Sequence, residues 1–276
     1  MTSANAAAPQ RDFSVGRVLS TSFDILFRNI IPFTLVSVAA LLPIVVAFGI
    51  LFAILFTAQS TGRFDATVFP PIMIGTVVAM FVLMLIFYPA SAATLVYATF
   101  QHMRDGKARI WNSIGRAFAR VFWVILLMIV GVLAMGAVFA ISGLVAATGR
   151  LDAVPLATII AIIIQIILAV MWCVAIPACV VERLGPIRSL GRSRELTQGH
   201  RWKLFAIFII TLLIMIFVST VFSAVVRGNG AVVLIATVVF ESILGAFWFV
   251  VPAVAYHDLR VVKEGVDIEK IASIFD

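Results

Sequence analysis

Ser189-Leu190-Gly191-Arg192-Ser193 lies in a basic segment, residues 182–203, between two long apolar runs. The same pattern, S-[VIL]-G-R, recurs as Ser14-Val15-Gly16-Arg17 and as Ser113-Ile114-Gly115-Arg116. Each copy precedes an apolar run. Each is followed, late in the next return run, by a Pro-Ala pair: Pro89-Ala90, Pro177-Ala178 and Pro252-Ala253. One copy of so short a motif means little, but three in the same slot read as a duplicated unit. Each unit reads as a surface helix, an outward span, a short turn and a return span. Units at about 11–100, 101–182 and 183–256 predict three helical hairpins.

Working outward, the composition agrees with spans. The chain of 276 residues is 63% hydrophobic and 12% charged, with mean hydropathy +1.17. Soluble domains are nearer half apolar and a quarter charged. The surplus belongs in a bilayer, where a helix of about 20 apolar residues crosses the hydrocarbon. The fold class expected is all-α, a polytopic membrane protein of six transmembrane helices. The spans are expected at about 30–57, 69–100, 121–148, 155–181, 202–226 and 231–256. Residues 1–10 read as a flexible tail without the apolar core of a signal peptide. Residues 257–276 read as a second tail, a short helix that ends with an apolar patch at Ile268, Ile271, Ile274 and Phe275.

Before three of the spans stand amphipathic helices. Residues 11–29 place Val15, Val18, Leu19 and Leu26 on one face and Arg17, Asp24 and Arg28 on the other. Ser14 is the expected N-cap, and the helix is expected on the membrane surface. Residues 101–120 and 183–199 are expected to behave alike, with Gly199 ending the third helix. The glycine of each motif would let its helix approach a span closely.

Charge sets the topology. Seventeen of the 20 lysines and arginines fall on the side of the two termini, and Arg63, Arg150 and Arg227 mark the three opposite loops. By the positive-inside rule both termini are cytoplasmic, with the chain in a bacterial inner membrane. The net charge of +7 is therefore membrane flank, and no nucleic-acid partner is expected. The partner expected is the bilayer itself, through anionic headgroups on the cytoplasmic side. Arg17, Arg116 and Arg192 are the candidate headgroup contacts.

Few residues suggest chemistry. Glu241 is the one ionisable residue deep in a span, and such residues mark functional sites by default. Gln165 stands at similar depth before its own Pro-Ala, so the two could converge on one intramembrane site. The alternative is a protonated Glu241 hydrogen-bonded inside the bundle. Arg194 falls beside Ile187 and Leu190 on the helical wheel, a face that would leave its charge in need of a partner. Glu182, Asp258 and Glu264 are the candidates for a structural ion pair with it. Cys173 and Cys179 share one run at a spacing that rules out a mutual disulfide. The scattered His102, His200 and His257 do not match metal-ligand spacing, so neither metal nor cofactor is expected. Nucleotide-binding and hydrolase motifs are absent. The prolines lack the acidic and basic followers of the mitochondrial-carrier signature.

The run Glu182-Arg183-Leu184-Gly185-Pro186, continued by Arg192-Ser193-Arg194-Glu195-Leu196-Thr197-Gln198-Gly199 and Trp202, resembles a family of bacterial six-span proteins. That family is named after the membrane domain attached to some glycerophosphoryl diester phosphodiesterases. The ending Tyr256-His257-Asp258-Leu259-Arg260, with Glu264-Gly265 and Asp267, is similar to the family's own. The resemblance implies an inner-membrane protein near lipid metabolism. It does not carry over the phosphodiesterase activity, whose barrel has no counterpart in these 276 residues. The function expected is a non-enzymatic scaffold, anchor or partner subunit. The alternative is a small-solute or ion transporter using Gln165 and Glu241.

Overall fold

The computed structural model describes residues 12–60, 69–108, 110–149, 151–228 and 230–265. Among them the chain is entirely helical. In order come α1 (Val15–Arg28), α2 (Ile30–Ser60), α3 (Phe69–Asp105), α4 (Ile110–Ala147), α5 (Val154–Trp172), α6 (Ala175–Val181), α7 (Pro186–Thr197), α8 (Arg201–Val225) and α9 (Ala231–Glu264). Six helical stretches are long and apolar enough to cross a membrane. The chain is an all-α, multi-pass membrane protein. The tail residues 1–10, the apolar patch at Ile268, Ile271, Ile274 and Phe275, Asp267, and the turn residues Arg63 and Arg150 lie outside the described residues.

Three details differ from expectation. The second amphipathic segment is no separate surface helix. Only Gly106, with φ +69°, and its neighbours interrupt the chain, and α4 then runs 38 residues without a break. The basic stripe at its start did not end it, because charge on one face leaves the backbone ladder intact. The fourth span is divided between α5 and α6. Pro177 has no N–H for the carbonyl of Cys173, and the helix opens there. Pro43, Pro89 and Pro252 sit inside continuous helices. Finally, residues 257–264 are the last turns of α9, not a separate tail helix. Gly265, with φ +60°, caps it in the left-handed conformation.

Around the bundle the spans follow the order α2, α3, α4, α5, α8, α9, with α9 returning to α2. The seams on either side of α8 are the thinnest. At 37, 38 and 34 residues, α3, α4 and α9 measure about 50–57 Å, against a hydrocarbon core of about 30 Å. Their excess lies at the end where α1 packs on α9, and the packed core lies there too. Ala92–Ala93, Leu95–Ala98, Val174–Ala175, Ala178–Val181 and Val250–Val251 through Tyr256 supply most of it. Toward the opposite end the helices are apolar and exposed, Phe52, Phe56, Phe139 and Val232 among them.

α1 does not lie free on a membrane surface. Its stripe Val18, Ser22, Ile25 and Leu26 is buried, and it packs on α9 and the start of α8. The Phe23 and Phe247 rings meet at 4.6 Å. Ser14 stands at the N-cap position without a side-chain cap bond. Asn29 turns the chain from α1 into α2, its Nδ2 donating to the Ile25 carbonyl and to Nδ1 of His102 at 2.8 Å.

Candidate functional site

The densest polar constellation grows from the break before α6. Opening the helix at residues 173–174 leaves the Met171 carbonyl without its helical partner. Ser193 of α7 donates to it at 2.8 Å, and Thr197 lies 3.4 Å away. Ser189 bonds within its own helix, to the Gly185 carbonyl at 2.8 Å. α7 therefore buries a face of Ser189, Ser193, Leu196 and Thr197. Short hydroxyl side chains let its backbone sit against the broken helix while satisfying a buried acceptor.

That docking brings two carboxylates and two guanidiniums together at the end of α9. Glu182, the residue closing α6, accepts from Arg192 Nε at 2.9 Å on both oxygens and from the Tyr256 hydroxyl at 2.6 Å. Arg192 also pairs with Glu264. Glu264 accepts from Arg260 Nε at 2.9 Å, one turn back along α9. Arg260 lies 3.8 Å from Glu182 and stacks on the Tyr256 ring, 5.8 Å from its centre. Two acids and two arginines make a closed, neutral quartet. Burial works against the Arg192 charge, yet its bonds to Glu182 and Glu264 hold it above the usual arginine range. Beside the quartet, Lys263 donates to the Glu195 carbonyl.

A second group ties the N-terminus to the same helix. Arg17 Nε donates to Asp258 at 2.9 Å and its other nitrogen to the Asp12 carbonyl at 2.8 Å. Lys203, in the first turn of α8, donates to the Asp12 carboxylate at 2.9 Å and to the Phe13 carbonyl at 2.9 Å. The hydrogen bond and charge of Lys203 hold Asp12 below the usual carboxylate range. His200 packs edge-on to Phe13 at 5.5 Å. Burial first, then the nearby Lys203 and Lys263 charges, push its imidazole below its ordinary value.

Several expected roles fall elsewhere. Arg194 is exposed, and the recorded partners of Glu182, Asp258 and Glu264 are Arg192, Arg17 and Arg260 instead. The wheel placed Arg194 beside Ile187 on a buried face, but Ile187 is 76% exposed and the hydroxyl face is the one that docks. Arg17 and Arg192 hold carboxylates, so they do not stand free for lipid headgroups, whereas Arg116 is exposed. The motif glycines do not mediate close approach: a Cβ at Gly16, Gly115 or Gly191 would meet nothing within 4 Å. Gln165 donates to the Met135 carbonyl of α4 at 2.6 Å. Glu241 is exposed on α9, without a hydrogen bond among the described residues. The two do not converge. Tyr256 and Arg260 are the site residues that the charge pattern did not single out. Their signal was the spacing: one turn apart, a stacking ring followed by a cation.

Both cysteines are free. Among the described residues no three His, Cys, Asp or Glu side chains gather as metal ligands would. The turn joining α6 to α7 carries Arg183 at φ +55°, and its carbonyl accepts from Arg120 of α4 at 3.4 Å. Tyr97 of α3 donates to the Val180 carbonyl at 3.1 Å. The quartet is thus braced from α3 and α4 as well as from α7 and α9. No protein family, no curated protein and no solved structure matches this chain.

Proposed function

We propose that the chain is a non-enzymatic scaffold or partner subunit of a bacterial inner membrane. Its basic end faces the cytoplasm and serves as a rigid platform. The observation that carries this is the pairing of its charged groups. Glu182, Arg192, Arg260 and Glu264 neutralise one another, and Arg17 and Lys203 are tied to Asp258 and Asp12. Groups so paired hold helices in place. A transport path would need polar side chains converging between the spans, and the separation of Gln165 from Glu241 weighs against it. The distribution of lysine and arginine supports cytoplasmic termini. The resemblance at residues 182–202 and 256–267 supports a setting near lipid metabolism. The three S-[VIL]-G-R copies support descent by duplication.

The exposed apolar flanks away from the platform suit a subunit that others pack against. Affinity purification in mild detergent is the test. A protein recovered in fixed ratio with the chain, and lost when Glu182 is replaced by alanine, is the expected result. A chain recovered alone that drives Glu241-dependent solute uptake in proteoliposomes would overturn the assignment in favour of transport.

A further inference from the structure

The seam between α5 and α8 opens into a groove of about 470 Å³, within the range of about 300–1,000 Å³ typical of ligand pockets. Ile163, Ile167 and Val170 of α5 line one wall and Phe205 of α8 the other. At the basic end, Arg201 and Trp202 close it off. The lining changes with depth. Ile163 and Ile167 are half exposed, at 51% and 52%, and face outward where hydrocarbon would lie. Val170 and Arg201 both lie near the basic ends of their helices. From Ile163 to Val170 the wall runs for about 10 Å along the helix axis.

Arg201 differs from the other cations nearby. Lys203 is held by Asp12, and Arg192 by Glu182 and Glu264. Arg201 is exposed and has no carboxylate partner among the described residues. α7 packs on α5 beside this end, and its Arg188 and Arg194 are also exposed. The neighbourhood is therefore positive. Trp202 is 84% exposed and meets Phe205 edge-on at 6.1 Å. An exposed tryptophan at the end of a span is the usual occupant of headgroup depth.

We propose that this groove is a binding site for one anionic phospholipid, with its phosphate on Arg201, its headgroup against Trp202 and an acyl chain along Ile163, Ile167 and Val170. An acyl chain is the one apolar ligand present at high concentration on the open side of the groove. A phosphate is the acceptor that a guanidinium at headgroup depth binds with paired hydrogen bonds. The site goes beyond the scaffold assignment and does not depend on it.

The test uses the full chain purified in mild detergent. Binding of phosphatidylglycerol and of phosphatidylcholine is compared by native mass spectrometry and by thermal unfolding. The expected result is a single tightly held phosphatidylglycerol that raises the unfolding temperature, with phosphatidylcholine held far more weakly. Arg201→Gln should weaken phosphatidylglycerol by about tenfold, the scale of one charge-assisted contact. It should leave the lipid-free unfolding temperature unchanged, because the Arg201 side chain has no hydrogen bond or ion pair among the described residues. Ile167→Trp, which fills the groove, should weaken both lipids, and Arg188→Gln should change neither. Equal losses in Arg201→Gln and Arg188→Gln would mean diffuse attraction to a basic face and would overturn the site. So would undiminished binding in Arg201→Gln. A protein partner is expected to remain with the Arg201→Gln chain, so failure of the lipid site and failure of the scaffold assignment are told apart.

Discussion

Glu182 accepts three hydrogen bonds, and its side chain is 16% exposed. Replacing it with glutamine keeps the shape but leaves Arg192 and Arg260 short of negative charge in a half-buried cluster. The expected loss is about 1.5–3 kcal/mol, the scale of a hydrogen-bonded buried charge. Arg194→Ala should cost less than about 0.5 kcal/mol, as at other exposed positions. Thermal unfolding in detergent separates the two, and a reversed order would return the pairing role to Arg194. His200 gives a pH dependence with a definite sign. Its imidazole is held below the ordinary 6.5, so between these values the unfolded chain binds more protons. Stability contributed by this position is complete above about pH 6.5 and falls as pH drops through the folded value. Unfolding temperatures measured from pH 8 to pH 5 should decline, and His200→Gln should flatten the decline. An unchanged slope in that variant would assign the titration elsewhere.

α7 shows where an element departs from its pattern. Helical-wheel reasoning takes the apolar stripe as the buried one, and here Ile187 is exposed while Ser189, Ser193 and Thr197 are buried. The inversion follows from a partner whose backbone is open: an unpaired carbonyl at Met171 attracts donors more strongly than it attracts methyl groups. Ser193→Val should therefore destabilise by about 1 kcal/mol, the worth of one hydrogen bond plus a stranded acceptor. Ile187→Ser should be close to neutral in the same unfolding assay. Equal effects would mean that α7 is held by apolar packing after all. The spans themselves were legible, because about 20 apolar residues in a row admit one interpretation. The termini of α4 and α9 were not. Helix ends are set by caps and breakers, and neither Arg116 nor His257 is one. The proline at position 177 was visible, but whether it breaks a helix, as there, or rides within one, as at 89 and 252, depends on what its neighbours offer the freed carbonyl. The ion pairs were half legible. The acids Glu182, Asp258 and Glu264 were recognisable by position, whereas the choice of Arg192 over Arg194 depended on which face of α7 docks.

At the scale of the whole molecule, packing is graded from one end to the other. The most apolar windows of α2 and α3 are each 6% buried, whereas those of α9 and of the α5–α6 stretch reach 22%. Local opening costs least where buried apolar contact is sparse. Spin labels placed in pairs near Ala147 and Val225, at the open end, should give broad distance distributions in detergent. Pairs at Arg188 and Lys263, across the quartet, should give narrow ones. Comparable widths would mean that the open end is held as firmly as the other.

The order of synthesis gives the quartet and its neighbour a timing. Asp258 follows Arg17 by 241 residues, which at about 5–20 residues per second is roughly 10–50 s of translation. Throughout that interval Arg17 has no carboxylate from α9 to bind, and Arg192 lacks Glu264. The first two hairpins can be in the membrane while the end that fastens them is still unmade. Glu182–Arg192 and Lys203–Asp12 can form earlier, but a chain cut short at residue 255 would lack the Asp258, Arg260 and Glu264 that hold Arg17 and close the quartet. Closure of the basic end therefore waits, in this protein, for the last turns of α9.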